Sequence, residues 1–470
     1  MIAASLAPYW ERIVLLVDIA LALTTSTHAL LTKADPRGAS GWIAVAWLFP
    51  IFGSLLYYMF GINRVEARAK RLRDTGSGPQ ASTVIVAPGD DGMATALARI
   101  GDAVTLWPRL AGNQLEILHN GEEAYPAMLE AIAGARHSIW LATYIFDTDE
   151  VGHLFIDALA DAHRRGVRVC AMADGIGELY GWPRAVSLLR SAGVPAERFL
   201  PPQLLPPQLY LNLRNHRKLL LVDGEIGFTG GINLSARHVA HDGKRRVTDM
   251  HFRLRGPVLA QLAEAFAADW NFVAGENLEL PSIPPPAGDS VCRVIVDGPD
   301  EDLNRLLLAI VGAISLARRE ILIMTPYFIP SVDVLAVLQA AALRGVEVTI
   351  VLPVHSDLRW VDWATRRWLP PLLERGVHVF LQPPPFAHTK LFVIDGEYAQ
   401  IGSANMDPRS LRLNFEIVVE IYDAVFCVQL ARHITDARTR SQRITLERLA
   451  ATRLLARVRN SLFWLLSPYL

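Results

Sequence analysis

The sequence predicts an α/β protein: two pseudo-symmetric α-β-α sandwich lobes preceded by an N-terminal transmembrane helical hairpin. Three observations carry that expectation. Residues 41–62 form an uncharged, apolar run of 22. Beyond it, a strand, helix and strand pattern is written twice. Each copy then reaches a hydrophobic run holding a histidine, a lysine and an aspartate at one spacing, "NHRKLLLVDG" at 215–224 and "AHTKLFVIDG" at 387–396.

The 470 residues leave room for two or three domains with sizeable cores. At 51% hydrophobic and 20% charged, the chain is greasier than an ordinary soluble enzyme. Its formal net charge of −1 supplies no general basic field, so nucleic acid is not an expected partner. Cys170, Cys292 and Cys427 are far apart and lack metal-ligand spacing, which reads as three reduced core residues.

In the hairpin, "GWIAVAWLFPIFGSLLYYMFGI" (41–62) is long enough to span a bilayer and predicts one helix. The preceding "IVLLVDIALALTTSTHALL" (13–31) contains Asp18, worth about 2.5–3.5 kcal/mol against insertion at a helix centre. Its ten Ile, Val and Leu residues, at about −0.3 to −0.6 kcal/mol each, offset that cost, so a second span is expected. The eight-residue turn "KADPRGAS" (33–40) makes the two spans a hairpin. Arg64, Arg68, Lys70, Arg71 and Arg73 follow the second span, against Lys33 and Arg37 in the turn. That bias predicts a multi-pass protein of the cell (inner) membrane with its body in the cytoplasm.

The body repeats one pattern. "HSIWLATYIF" (137–146), an amphipathic stretch and "VRVCAMAD" (167–174) match "EILIMTPYFIP" (320–330), "VDVLAVLQAAALRG" and "VEVTIVLP" (346–353). Alternating strands and helices predict a mostly parallel sheet with helices on both faces of each half. The chain thus divides into the hairpin and basic juxtamembrane segment (1–73), a linker and lead-in (74–115) that opens with "DTGSGPQAS", a first lobe (116–288), a second lobe (289–440) and an amphipathic tail (441–470). Two segments stay open to two readings. "FLPPQLLPPQLYL" (199–211) suits a proline-stiffened surface loop or a lip dipping into lipid, and "RLLARVRNSLFWLLSPYL" suits an interfacial helix or a packed terminal one.

Only five of the 46 basic residues are lysines, yet two of those five, Lys218 and Lys390, follow a histidine by two. A lysine at both places suggests a compact, strongly hydrated point charge in preference to a planar fork. From Asp223 the chain runs on to "GGIN" (230–233), and from Asp395 to "GSAN" (402–405), with the same interval. The doubled His-x-Lys-x4-Asp-x6-Gly-(Gly/Ser)-x-Asn resembles the phospholipase D superfamily. Joined to the hairpin ending "WLFPIFGSLLYYMFGINR", the chain is similar to bacterial cardiolipin synthases over nearly its whole length. The resemblance implies a phospholipase D fold and a membrane-anchored phosphatidyl transferase. Its substrates would be phospholipids, phosphatidylglycerol among them, with glycerol released as cardiolipin forms. It also implies that His216 attacks, through a phosphohistidine intermediate, while His388 serves as general acid.

The chemistry of the residues agrees. Displacement at a phosphodiester needs a nucleophile, an acid for the leaving alkoxide and fixed positive charge on the phosphoryl oxygens. Two histidines and two lysines supply all three with no metal and no cofactor. Alternation along a strand turns His216 with Lys218, and His388 with Lys390, to one face. Asp223 and Asp395 complete the catalytic motif, and their odd offsets point them away from that face into a structural role. Asn233, Asn405 and Ser403 are candidate phosphate contacts. A nucleophilic histidine also needs its second ring nitrogen held by an acceptor. Asp249 in "VTDMHFRL" and Glu416 in "LNFEIVVEI" are the candidates, and the resemblance pairs each with the histidine of its own half, Glu416 lying 28 residues beyond His388. The family's usual Trp-Arg-Asp reads Val247, Thr248, Asp249 here.

Two other readings belong beside this one. A phospholipase D, phosphodiesterase or nuclease would share the site, though a nuclease would want a basic groove. A catalytically silent membrane scaffold would be expected to have lost a motif member, and none is missing. The sequence specifies no oligomeric state. The charge bias around the hairpin predicts that a cysteine placed at an exposed site beyond residue 74 is shielded from a membrane-impermeant thiol reagent in intact cells. Free labelling there would reverse the orientation.

Overall fold

The computed structural model describes residues 2–33, 35–62, 93–105, 107–202, 213–240, 246–298 and 304–467. The basic cluster at 64–73, the linker at 74–82 and most of the proline-rich stretch at 199–211 lie outside those residues. The chain forms two compact units, Met1–Thr75 and Gly76–Leu470.

In the first unit a helix runs over Ile2–Thr32, and Trp10–Thr32 within it is long and apolar enough to cross a membrane. The expected second span is not one helix. Pro36–Leu48 stops, and a short helix resumes at Phe52–Leu56. Pro50 causes the break, because it has no N–H to donate and its ring pushes Phe49 into an extended conformation. Asp18 closes the gap from the other arm, its carboxylate accepting the Ile51 N–H at 2.6 Å. The residue that weakens the first span on paper thereby satisfies a backbone donor that the proline kink exposes. Trp47 also reaches across, its Nε1 donating to Ser26 Oγ at 3.1 Å.

The second unit is built on one 15-stranded sheet with a separate two-stranded pair. Its first half uses β1 (Leu110–His119), β2 (Ser138–Thr143), β3 (Arg168–Asp174), β4 (Ala196–Phe199), β5 (Leu219–Val222), β6 (Ile226–Gly230), β7 (Val247–Thr248) and β8 (Met250–Arg255). The second half uses β9 (Ser290–Asp297), β10 (Glu320–Met324), β11 (Glu347–Pro353), β12 (His378–Gln382), β13 (Phe386–Ala387), β14 (Leu391–Ile394), β15 (Tyr398–Gly402), β16 (Glu416–Tyr422) and β17 (Gln442–Arg443). One order serves both: β4-β3-β2-β5-β6-β8-β1 and β12-β11-β10-β14-β15-β16-β9, with β17 added at an edge. The halves join where β1 runs antiparallel to β9, Leu110 opposite Cys292. The β1 strand begins inside the stretch read from sequence as lead-in.

The expectation of a mostly parallel sheet is corrected. Among the described strands, pairing is parallel only among β2, β3 and β4, among β10, β11 and β12, and in the separate β7–β13 pair. Crossover helices at Glu150–Arg164 and Val332–Leu343 impose the parallel pairs on either side of them. After each motif strand an Asp-Gly turn folds the chain straight back instead. Asp223 and Gly224 lie at φ 54° and 69°, and Asp395 and Gly396 at 53° and 67°, the left-handed pair that tight antiparallel hairpins require.

Alternate residues of the central strands feed two layers. Ile139, Leu141, Leu220 and Val222 pack beneath the helices Asn120–Gly134 and Glu150–Arg164, while Trp140, Ala142, Leu219 and Leu221 pack against Val258–Ala274 on the opposite face. That opposite layer continues without interruption into the second half, through Leu391, Val393, Phe426 and Leu430. Cys170, Cys292 and Cys427 are free and buried within it, and burial raises their thiols.

The turn aspartates hold the strands in place. Asp395 accepts backbone N–H groups from Arg318, Arg319 and Glu320, each at 2.8 Å, and Asp223 does the same for Arg136, His137 and Ser138. Asp395→Ala should therefore cost about 2–3 kcal/mol, since three donors lose a charged acceptor at once. Denaturant unfolding of the purified chain in detergent checks this, and a loss under about 0.5 kcal/mol would show that the clasp carries no weight.

Candidate active site

Each motif histidine sits on an extended segment just before its strand, and the other half of the molecule holds that segment. The His216 N–H donates to Phe415 O at 2.9 Å, and the His388 N–H donates to Thr248 O at 2.8 Å. The short β7–β13 pair, Val247 opposite Phe386 and Thr248 opposite Ala387, extends the second contact. The residue after each carbonyl is a carboxylate, Glu416 after Phe415 and Asp249 after Thr248.

The carboxylates are thereby exchanged. His216 Nδ1 lies 3.0 Å from Glu416 Oε1 and 3.1 Å from Oε2, and His388 Nδ1 lies 2.7 Å from Asp249 Oδ2. This corrects the pairing expected from sequence, in which each acceptor served its own half. Sequence interval places a carboxylate at the end of a strand, but the pseudo-twofold seam decides which histidine that end meets.

Both acceptors are buried and braced. Glu416 receives the Ser403 hydroxyl and the Asn414 amide, the latter at 3.3 Å. Asp249 accepts the Met250 N–H at 2.8 Å. Gly231, the counterpart of Ser403, has no room for a side chain, since a Cβ there would sit 2.4 Å from Asp249 Oδ1. Ser403 was an expected phosphate contact; instead it is fully buried behind Glu416 and accepts the Ile417 N–H at 3.0 Å. Asp223 and Asp395 are also apart from the cluster. A four-residue strand separates each turn from its lysine, roughly 13 Å of rise, and their carboxylates are taken up by the backbone.

Lys218 Nζ and Lys390 Nζ donate to the carbonyls of His216 and His388 at 2.7 Å, which curls each amine back beside its histidine. Lys390 Nζ also lies 3.1 Å from both ring nitrogens of His388. Of the asparagines, Asn233 Oδ1 accepts the Ile145 N–H at 3.2 Å, while Asn405 Oδ1 is buried with no partner among the described residues.

Burial dominates the electrostatics. It lowers His216 to about 4 against the pull of Glu416, and it holds His388 well below the usual imidazole range, with Lys390 and Lys218 adding to the effect. It lowers Lys218 to about 7 and Lys390 to about 8, although nearby carboxylates oppose the drop. Burial would raise Glu416, but the His216 charge and hydrogen bond, with Lys218, bring it to about 2. It lifts Asp249 above the ordinary carboxylate range. A carboxylate only accepts, so the proton of each neutral imidazole belongs on Nδ1 and the lone pair on Nε2, which in His388 faces Lys390 Nζ at 3.1 Å.

Several site residues were not found from sequence. Tyr144 lies with its ring 5.1 Å from that of His216, and Tyr327 with its ring 6.2 Å from that of His388. Both stand in the doubled strand motif, in "ATYIF" and "TPYFI", but one residue out of step, which hides them from a comparison of the halves. Buried His238 has its ring 6.3 Å from that of His388, and its Nε2 accepts the Asn233 N–H at 3.4 Å. Asp174 braces the approach to His216 by accepting the Asn215 N–H at 2.9 Å.

Residues 128–270 and 310–437 match a family model described as "Cardiolipin synthase, PLD-like domain", and residues 13–61 match one described as "Phospholipase_D-nuclease N-terminal". The cardiolipin synthase of Geobacillus kaustophilus is 32% identical, over 98% of this chain and 95% of its own length. Cardiolipin synthase A of Pseudomonas aeruginosa is 33% identical, over 97% of this chain and 96% of its own. The major cardiolipin synthase of Bacillus subtilis is 31% identical, over 93% and 95%. Among solved structures, the phosphatidylserine synthase of Haemophilus influenzae superposes with a TM-score of 0.61, covering 80% of this chain and all of that one. At 15% identity that likeness is one of fold.

The titrating groups predict a pH profile. A histidine nucleophile works as its neutral form, so kcat/KM should hold on the acid side until His216 protonates near pH 4. His388 must carry a proton as general acid and the lysines work as cations, so it should fall as pH rises, first as His388 loses its proton and then past about 7 and 8, where Lys218 and Lys390 lose theirs. A profile level through about pH 9 would show that the ammonium charges are not needed.

Proposed function

The chain belongs to the cardiolipin synthase family of phospholipase D-like proteins, and on that premise we propose that it moves a phosphatidyl group from one phosphatidylglycerol to another through a phosphohistidine. It is a phosphatidyl transferase. What supports the detailed reading is the crossed pairing: two imidazoles, each held through Nδ1 by a buried carboxylate and each flanked by a lysine.

In the first step His216 Nε2 attacks the donor phosphorus and the bond to the glycerol oxygen breaks. His388 gives that oxygen its proton, and free glycerol leaves. In the second step His388 takes the proton from the hydroxyl of an acceptor phosphatidylglycerol, whose oxygen attacks phosphorus as the P–N bond breaks. Cardiolipin forms and His216 is restored. His216 suits the nucleophilic role because Glu416, held ionised, stabilises the positive charge its ring acquires. An incoming phosphate adds the negative charge that favours a protonated His388, and Lys218 and Lys390 stay beside the equatorial oxygens.

Supply of lipid accounts for the rest of the proposal. The apolar Trp10–Thr32 helix anchors the chain, the broken second arm makes it multi-pass, and the basic residues at 64–73 keep the body cytoplasmic.

Purified full-length protein in phosphatidylglycerol vesicles with excess EDTA should yield cardiolipin and glycerol in equal amounts by mass spectrometry. His216→Ala and His388→Ala should abolish turnover, and Lys218→Ala should cost on the order of 10²–10³. Phosphatidic acid in place of cardiolipin would make the protein a hydrolase, and activity restored only by added magnesium or calcium would sink the metal-free mechanism. A labelled phosphatidyl donor should mark His216. Label on His388 would exchange the two roles.

A further inference from the structure

The helix Leu454–Leu465 near the C-terminus is two-faced. One face is fixed to the protein. Phe463 packs at a tilt against Trp363, and Trp464 meets Trp368 edge to face, on the helix Arg359–Leu373, with ring centroids 4.9 and 6.0 Å apart. Arg459 lies 4.3 Å over the Trp363 ring and Arg367 5.5 Å over that of Trp464. Phe463 also joins the apolar cluster of Ile329, Val361 and Ala364, which includes Tyr327, the residue beside His388. The helix is therefore packed into the wall that carries Tyr327 beside His388.

The other face is exposed. Leu454 is 71% exposed and Leu455 83%, and Val458, Leu462, Leu465 and Leu466 follow them into solvent. At about 100° per residue these six fall within an arc of about 120°, so they make one continuous stripe. Its margins are cationic: Arg457 borders it and exposed Arg448 and Arg453 precede it. No acidic residue lies between Arg448 and Leu470.

We propose that this stripe lies in the headgroup region of an anionic bilayer, leucines among the upper acyl chains and arginines on the lipid phosphates, so that the catalytic wall rests on the surface that supplies its substrate. The proposal builds on the lipid-transfer reading above. Leucine stripes edged by arginine are the chemistry that interfacial helices use to bind anionic lipid. A second copy of the chain fits less well. Twelve residues span about 18 Å, and with a stripe about 10 Å wide that gives about 200 Å², against roughly 800 Å² per partner in a stable protein interface.

The test reads position without turnover. With the native cysteines buried, an environment-sensitive fluorophore can be placed by Leu455→Cys or Leu462→Cys in the full chain. In phosphatidylglycerol-rich vesicles it should be quenched by lipids carrying a nitroxide high on the acyl chain and shielded from aqueous iodide. A probe placed by Arg164→Cys, where the side chain is 72% exposed, should show the reverse. Iodide quenching at both stripe positions, without nitroxide quenching, would overturn the proposal. So would shielding that grows with the protein-to-lipid ratio, which would assign the stripe to a second copy. In a second arm, Leu455→Asp with Leu462→Asp should leave the melting temperature unchanged and lower turnover on vesicles at least about tenfold, while turnover on detergent-dispersed lipid holds. Equal loss in both would also overturn it. Quenched probes on an inactive wild-type chain would count against the lipid-transfer reading and leave the surface standing.

Discussion

Two imidazole–carboxylate bonds cross the seam between the halves, His216 to Glu416 and His388 to Asp249, and the site exists only because they do. Neither half is complete alone. Each contributes a histidine, a lysine and the carboxylate its counterpart needs. The backbone bonds from His216 N–H to Phe415 O and from His388 N–H to Thr248 O set the register that makes the exchange possible. The β1–β9 junction, by fusing two sheets into one, keeps that register from drifting. A shift of one residue at the seam would replace each carboxylate with an uncharged neighbour, Phe415 or Ile417 for Glu416 and Thr248 or Met250 for Asp249.

Burial raises the stakes of those bonds. Two histidines, two lysines and two carboxylates share a space from which water is nearly excluded, and every ionised form must be balanced by a neighbour. Desolvation keeps the imidazoles neutral and brings the lysines close to neutrality as well. A phosphodiester anion placed among them would add the negative charge that favours their protonated forms. Affinity for the substrate and readiness for proton transfer thus have one electrostatic origin.

The motif aspartates show how a conserved spacing within one chain can serve architecture. Asp223 and Asp395 occupy left-handed turn positions and gather three backbone N–H groups each, which fastens the motif strand to its parallel neighbour. They hold the histidines at a distance, through the strand. Asp18 works in the same manner in the first unit, where it takes up the Ile51 N–H at the Pro50 break. In each case a carboxylate accepts what the turn or kink leaves unpaired.

Local order of elements, the duplication and the six motif residues were all legible in the amino-acid sequence, because period and spacing are properties of the chain itself. Parity along β5 and β14 was enough to separate the aspartates from the histidines and lysines. The seam was not legible. Residues 28 apart can be read as strand companions, yet the partner of Glu416 lies 200 positions away in the other half. The place of Ser403 behind Glu416, and of Tyr144 and Tyr327 beside the histidines, likewise follows from how two sheets meet, as does the antiparallel share of the sheet. The break at Pro50 was written in the sequence, but its repair by Asp18 needed the two arms to pack. Periodicity decides which face a side chain occupies. Only the packing of one half against the other decides what that face meets.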